Sequence, residues 1–165
     1  MKLAVIGTGY IGLVAGACFA EMGNHVIWMD KDWNKIRKLK EDIVLIYEPD
    51  LDQMVERNID CERLFFITNM QETIEKSNVV FIAVGIPLNE DGSADLSNVL
   101  AGAEYISECT NGSKIMNKST VPLGTAQLIK KDIQSKTNYK VHVVSSPEFL
   151  KEGISLFQVW AEQKF

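Results

Sequence analysis

Cysteine is scarce in this chain, and what there is carries no pattern. Cys18, Cys61 and Cys109 are far apart and odd in number. There is no C-x-x-C pair, so no metal site and no disulfide framework is expected. Reduced thiols in a cytoplasmic setting fit best. Positive charge is also short. Seventeen Lys and Arg against 22 Asp and Glu leave a net charge of −5, with no long basic run. That gives no footprint for nucleic acid or for an anionic membrane surface. Any anionic ligand must then be held by local dipoles and single basic residues. The histidines are His25 and His142, both within strand-like runs, which argues against general-base roles. No internal repeat and no low-complexity linker is found. The uncharged stretch from Leu3 to Ala20, after Met1-Lys2, has the outline of a signal peptide. Glycines at 7, 9, 12 and 16 interrupt it, which is poor for an apolar helical segment. It reads as a buried strand followed by a buried helix, and no other segment could span a membrane.

What remains is an ordinary globular balance. The 165 residues suggest one domain, or one with a small extension. Hydrophobic content is 46% and charged content 24%, both usual for a folded domain. A chain of this size buries roughly 70% of its unfolded surface, enough for a real core.

The organising stretch is Gly7-Thr8-Gly9-Tyr10-Ile11-Gly12. It follows the apolar run Leu3-Ala4-Val5-Ile6 and precedes a run rich in small residues, Leu13 to Ala20. Strand, glycine turn and helix in that order are the context in which G-x-G-x-x-G means a dinucleotide site. Gly7 lets the chain turn off the strand, Gly9 lets a pyrophosphate approach the backbone, and Gly12 lets the helix pack close. The pyrophosphate is then expected at the helix N-terminus, where free N–H groups and the helix dipole favour negative charge. Asp30 ends the next apolar run, His25 to Met29, 18 residues after Gly12. That is close to the roughly 20 expected for an acid that accepts from the adenosine ribose hydroxyls and repels a 2′-phosphate. The pair points to NAD over NADP.

Strand-like runs alternate with helical stretches along the rest of the chain, the signature of a parallel sheet covered on both faces. The first helix is expected over 11–22, buried nearly all round, with Gly23 as its stop. A helix over 33–39 carries a basic outer face, and Lys35 is its residue placed near the cofactor. A short helix is expected over 51–57 and a strand over 64–67. Asn69 with Glu72 reads as a helix start. A buried strand over 79–84 runs into Gly85-Ile86-Pro87, at the sheet edge where open α/β sheets bind ligands. Asp95 is expected as the N-cap of a helix reaching 109, a structural and not a catalytic role. A strand over 114–117, a helix over 126–135 and a strand over 141–144 complete the set.

The ordered set of motifs resembles the N-terminal half of the UDP-glucose/GDP-mannose dehydrogenase family. The stretches that carry the likeness are Lys2 to Gly12, Tyr47-Glu48-Pro49, Ala83-Val84-Gly85, Asp91 to Ser97, Asn117 to Pro122 with Gly124-Thr125, and Pro147 to Gly153. The resemblance implies an α/β fold: a doubly wound, mainly parallel Rossmann-type sheet with helices on both faces. About six strands in the order 3-2-1-4-5-6 are expected. It implies NAD as cofactor and a nucleotide sugar as substrate, UDP-glucose or, alternatively, GDP-mannose. The reaction implied takes an alcohol to an aldehyde and then to an acid, reducing two NAD. Cofactor contacts are expected from Gly7, Gly9, Tyr10, Ile11, Gly12, Asp30, Lys35, Gly85 and Ile86. Thr120 is expected near the nicotinamide and the reactive carbon. Glu148, Phe149, Leu150, Lys151 and Glu152 are expected to touch the nucleotide sugar, with Glu152 handling a water proton in the hydrolytic step.

The departures from the family pattern are as specific. Ile86 stands where the family has a threonine, Asp50 where it has a glycine, and Ser146 where it has an asparagine. The expected division is a Rossmann domain over 1–153 and a divergent tail over 154–165. The family's nucleophilic cysteine, in a Gly-x-Cys-Phe-Pro-Lys-Asp setting, is absent, as are the central dimerising helix and the second nucleotide-binding domain. Covalent catalysis needs an activated thiolate beside the substrate, and none of the three cysteines has that context. The sequence therefore leaves three readings open: an NAD-binding half of a nucleotide-sugar dehydrogenase, a stand-alone NAD module without chemistry, and a folded remnant.

Overall fold

The structure is a computed structural model, and it describes residues 1–110, 112, 114–147 and 150–156. Six strands form one sheet: β1 (Lys2–Ile6), β2 (His25–Met29), β3 (Leu64–Ile67), β4 (Val79–Ile82), β5 (Lys114–Asn117) and β6 (His142–Ser145). Their order is β3-β2-β1-β4-β5-β6, and every neighbouring pair is parallel. Six helices connect them: α1 (Tyr10–Glu21), α2 (Trp33–Lys40), α3 (Leu51–Asp60), α4 (Met70–Glu75), α5 (Ser97–Cys109) and α6 (Thr125–Lys136). This is the doubly wound Rossmann arrangement, and its strand order reverses between β1 and β4, where ligands bind in such sheets.

Alternation along each central strand feeds two separate cores. Leu3, Val5, Val26, Trp28 and Phe81 face α1 and α3, together with Leu13, Val14, Leu51 and Met54. Ala4, Ile6, Met29, Val80 and Ile82 face the opposite core with Ile74, Val99, Ile106, Ile129 and Ile133 of α4, α5 and α6. Burial on both faces is why these strands read as continuous apolar runs.

Helix α1 lies unusually close to the sheet. A Cβ at Gly16 would stand 1.9 Å from Trp28 Nε1. The indole is fully buried and donates its N–H to the Gly12 carbonyl at 2.9 Å, and it packs on Phe66 with ring centroids 5.3 Å apart. Glycine at 16 is therefore a packing requirement. The helix ends as expected before Gly23, whose N–H reaches the Ala20 carbonyl at 2.9 Å in a left-handed turn.

Element edges depart from the sequence reading in places. Strand β4 stops at Ile82 instead of 84: the Ala83 N–H still reaches the Ile6 carbonyl at 2.9 Å, but the Ala83 carbonyl lies against the glycine turn. Asn69 caps α4 as expected, accepting from the Glu72 N–H at 3.1 Å. Asp95 does not: the cap position of α5 is Leu96. Asp95 sits one residue outside and accepts from the Ser97 N–H at 2.8 Å and from its hydroxyl.

Candidate cofactor site

The site is assembled where β1 hands over to α1. Gly7 adopts φ +101°, a conformation that side chains rarely take, and a Cβ there would lie 2.5 Å from the Ala83 carbonyl oxygen. A Cβ at Gly12 would lie 2.1 Å from the Gly7 carbonyl oxygen. Both positions are closed to any larger residue. Gly9 is the reverse case, exposed and with nothing within 4 Å of where its Cβ would stand. No side chain caps the first turn of α1, and no acid lies in it. Its backbone N–H groups thus face open space with the helix dipole behind them, a ready anion site.

Asp30 follows β2 directly. Its Oδ2 accepts from the Thr8 N–H at 2.9 Å and the Thr8 hydroxyl at 2.6 Å. Its Oδ1 accepts from the Asp32 N–H at 3.0 Å, and Lys35 Nζ stands 3.8 Å from Oδ2. Burial by itself would push this carboxyl up. The hydrogen bonds from Thr8 and Asp32, with the Lys35 charge, outweigh it and hold the group below the usual aspartate range. Asp30 is thus a fixed carboxylate. Gly7, Gly9, Asp30, Lys35, Gly85 and Tyr105 are among the residues lining one cleft of about 730 Å³ at the carboxyl ends of β1, β2 and β4.

Other expected residues are placed differently. Tyr10 and Ile11 pack their side chains against the first core, so what they present at the helix start is backbone. Ile86 packs against the second core and does not line the cleft. Thr120 is exposed after β5 and lies outside the cleft lining. The loop that carries it is tied to the neighbouring one: Ser119 donates its hydroxyl to the Val84 carbonyl at 2.7 Å. Lys151 and Glu152 are exposed, and Leu150 is half-buried against the first core. Glu148 and Phe149 lie outside the described residues.

Two residues without an assigned role in the sequence reading organise this region. Thr8 is one. The other is Glu48, only 4% exposed. Its Oε2 accepts from the Tyr10 hydroxyl at 2.5 Å and the Gly153 N–H at 2.8 Å, and its Oε1 from the Leu156 N–H at 3.0 Å. The Ser155 hydroxyl stands 2.6 Å from the Tyr10 oxygen. Burial, followed by the Glu48 carboxylate, pushes the Tyr10 phenol up to about 12. For Glu48, burial is outweighed by the Tyr10 hydroxyl and the backbone donors, which hold its carboxyl below the usual range. The glycine turn, the loop at 48 and the segment 150–156 are therefore one hydrogen-bonded unit. The stretch Tyr47-Glu48-Pro49 marked Glu48 as notable, but nothing in the sequence pointed to its partners.

The family model described as the UDP-glucose/GDP-mannose dehydrogenase family, NAD binding domain, matches residues 1–165. The chain belongs to this family. As its NAD-binding domain it is 50% identical over 158 residues to the UDP-glucose 6-dehydrogenase TuaD of Bacillus subtilis, covering 94% of this chain and 34% of that protein. It is 45% identical over 159 residues to the UDP-glucose 6-dehydrogenase of Pseudomonas aeruginosa, covering 93% and 35%. Among solved structures, the UDP-glucose dehydrogenase of Pyrobaculum islandicum matches with a TM-score of 0.91 at 35% identity, over 96% of this chain and 38% of that one. The GDP-mannose dehydrogenase of Pseudomonas aeruginosa matches with 0.92 at 26% identity, again over 96% and 38%. The chain thus spans little more than a third of the length of these relatives. For the family's NAD, the residues fit: an open Gly9, an uncapped helix start and an ionised acid at the end of β2 meet in one cleft. No helix of the described residues is long and apolar enough to cross a membrane.

Proposed function

We propose that this chain is the cofactor-binding part of an NAD-dependent UDP-glucose 6-dehydrogenase that works in the cytoplasm. The observation that carries the reading is the ionised Asp30, locked beside an open helix N-terminus in the same cleft. Relatives at 45 and 50% identity that carry the name UDP-glucose 6-dehydrogenase support UDP-glucose over GDP-mannose. Bound NAD supplies the hydride acceptor. The backbone around Gly7, Gly9, Tyr10, Ile11 and Gly12 holds the pyrophosphate. Asp30 takes the adenosine ribose hydroxyls, Lys35 balances the charge nearby, and Gly85 borders the cofactor through its backbone, with Ile86 packed behind it. Thr120 lies toward the nicotinamide. Glu148 to Glu152 contact the nucleotide sugar, and Glu152 moves the water proton of the hydrolytic step.

A fluorescence titration with NADH tests this directly. Trp28 is bonded to the Gly12 carbonyl at the helix start, so its emission reports on the turn. Saturable energy transfer to NADH from the chain's tryptophans, Trp28 and the exposed Trp33 among them, is expected, with NADPH much weaker. Asp30→Ala is expected to lose roughly 1.5–3 kcal/mol of NADH binding. No binding at millimolar NADH overturns the reading.

A further inference from the structure

Thr8 occupies the free position between the first two glycines, at the wall of the cleft, and its side chain is turned into the protein instead of out to solvent. It is 3% exposed, and both its donors end on Asp30 Oδ2, at 2.9 and 2.6 Å. Lys35 Nζ lies 3.8 Å from the same oxygen. Asp30 Oδ2 is thereby committed to the protein. Oδ1 carries the Asp32 N–H alone, at 3.0 Å, and keeps acceptor capacity for a ligand, since a carboxylate oxygen has two lone pairs. A carboxylate held from one side by a hydroxyl and an N–H cannot swing about its χ angles. Its charge stays where the cofactor arrives.

We propose that Thr8 is a positioning residue for cofactor choice: its hydroxyl pins Asp30 so that Oδ1 meets the ribose and a 2′-phosphate meets an immovable negative charge. The inference rests on the reading of this cleft as the NAD site. Removing the hydroxyl leaves Oδ2 only the Thr8 N–H and the Lys35 charge, with the Asp32 N–H on Oδ1, so the carboxylate is held less firmly, which weakens a fixed acceptor for NADH and eases the repulsion of NADPH. Preorganisation of this kind acts on relative affinity more than on fold.

The experiment compares the unmodified chain with Thr8→Val, which keeps the shape, and Thr8→Ser, which keeps the hydroxyl. NADH and NADPH are titrated against each, and the Asp30 carboxyl is followed by NMR in the ligand-free protein. Thr8→Val is expected to lose about tenfold of the NADH-over-NADPH preference, the worth of one charge-assisted hydrogen bond. Its Asp30 is expected to titrate at higher pH. Thr8→Ser is expected to retain both properties. Should Thr8→Val fail to fold, Thr8→Ala makes the same comparison. A preference and an Asp30 titration unchanged in Thr8→Val overturn the role of Thr8 alone. Absence of NADH binding by the unmodified chain overturns the cofactor reading itself, while the ligand-free titration still decides whether Thr8 pins the acid.

Discussion

Glu48 brings an ionised carboxylate into a site that is 4% exposed and satisfies it with a phenol and two backbone N–H groups. Truncation takes the carboxylate partner from the Gly153 and Leu156 N–H groups and leaves the Tyr10 hydroxyl to Ser155, and stranding such donors costs more than the net worth of the bonds. Glu48→Ala is expected to destabilise the chain by about 2 kcal/mol at pH 7 in urea unfolding, and to expose the 150–156 segment to protease. A loss under about 0.5 kcal/mol, the scale of an ordinary surface change, would show that the network is incidental. The pH dependence follows from the depressed carboxyl. Its contribution is complete above the ordinary glutamate value near 4.3 and is lost as pH falls through the lower folded value. Glu48→Gln should therefore flatten the acid limb of the stability curve. Tyr10, pushed up to about 12, stays a proton donor throughout. None of this was legible from residue type. An acid before a proline reads as a loop residue, and its partners Gly153 and Leu156 lie 105 and 108 positions away.

At the scale of elements, α1 is the piece on which the site depends. It was legible because its small residues and its flanking strand are local signals. The tightness of its seat was not. Gly16→Ala would place a methyl 1.9 Å from the buried Trp28 ring, and neither the helix nor the fully buried indole can give way without breaking the bond to Gly12. A cost of about 1–3 kcal/mol in urea unfolding is expected from such overpacking, with altered Trp28 emission. An unchanged midpoint would mean that α1 can slide outward. The early end of β4 was equally illegible. Val79 to Val84 is one apolar run in the sequence, but the Ala83 carbonyl must pass Gly7 at close range. Only the neighbouring turn decides where the ladder stops. Asn69 shows the converse: a cap is a contact three residues long, so the sequence carries it whole.

For the whole molecule, the question is whether any of its three thiols is placed to act as a nucleophile. Cys18 is buried in α1 with its thiol pushed up to about 12, by burial first and then by Glu21 and Glu48. Burial also raises Cys109. Cys61 is exposed at the end of α3. A thiol acts as a nucleophile only as thiolate. Incubation of this chain alone with UDP-glucose and NAD is therefore expected to give no steady production of NADH at 340 nm. Sustained turnover would show that the covalent step has another nucleophile.

The sequence by itself determined the alternating strands and helices and the glycine turn with its acid at the end of β2, while the strand order 3-2-1-4-5-6 came from the family resemblance. The elements and the turn rest on periodicity, on glycine's steric freedom and on spacing, all readable within some twenty residues. The tertiary structure decided which polar groups are spent on holding the site. Thr8 reaches Asp30 across 22 positions and Glu48 reaches Gly153 across 105. Buried polar groups must find partners wherever the fold places them, and that placement is a property of packing, not of any stretch of sequence.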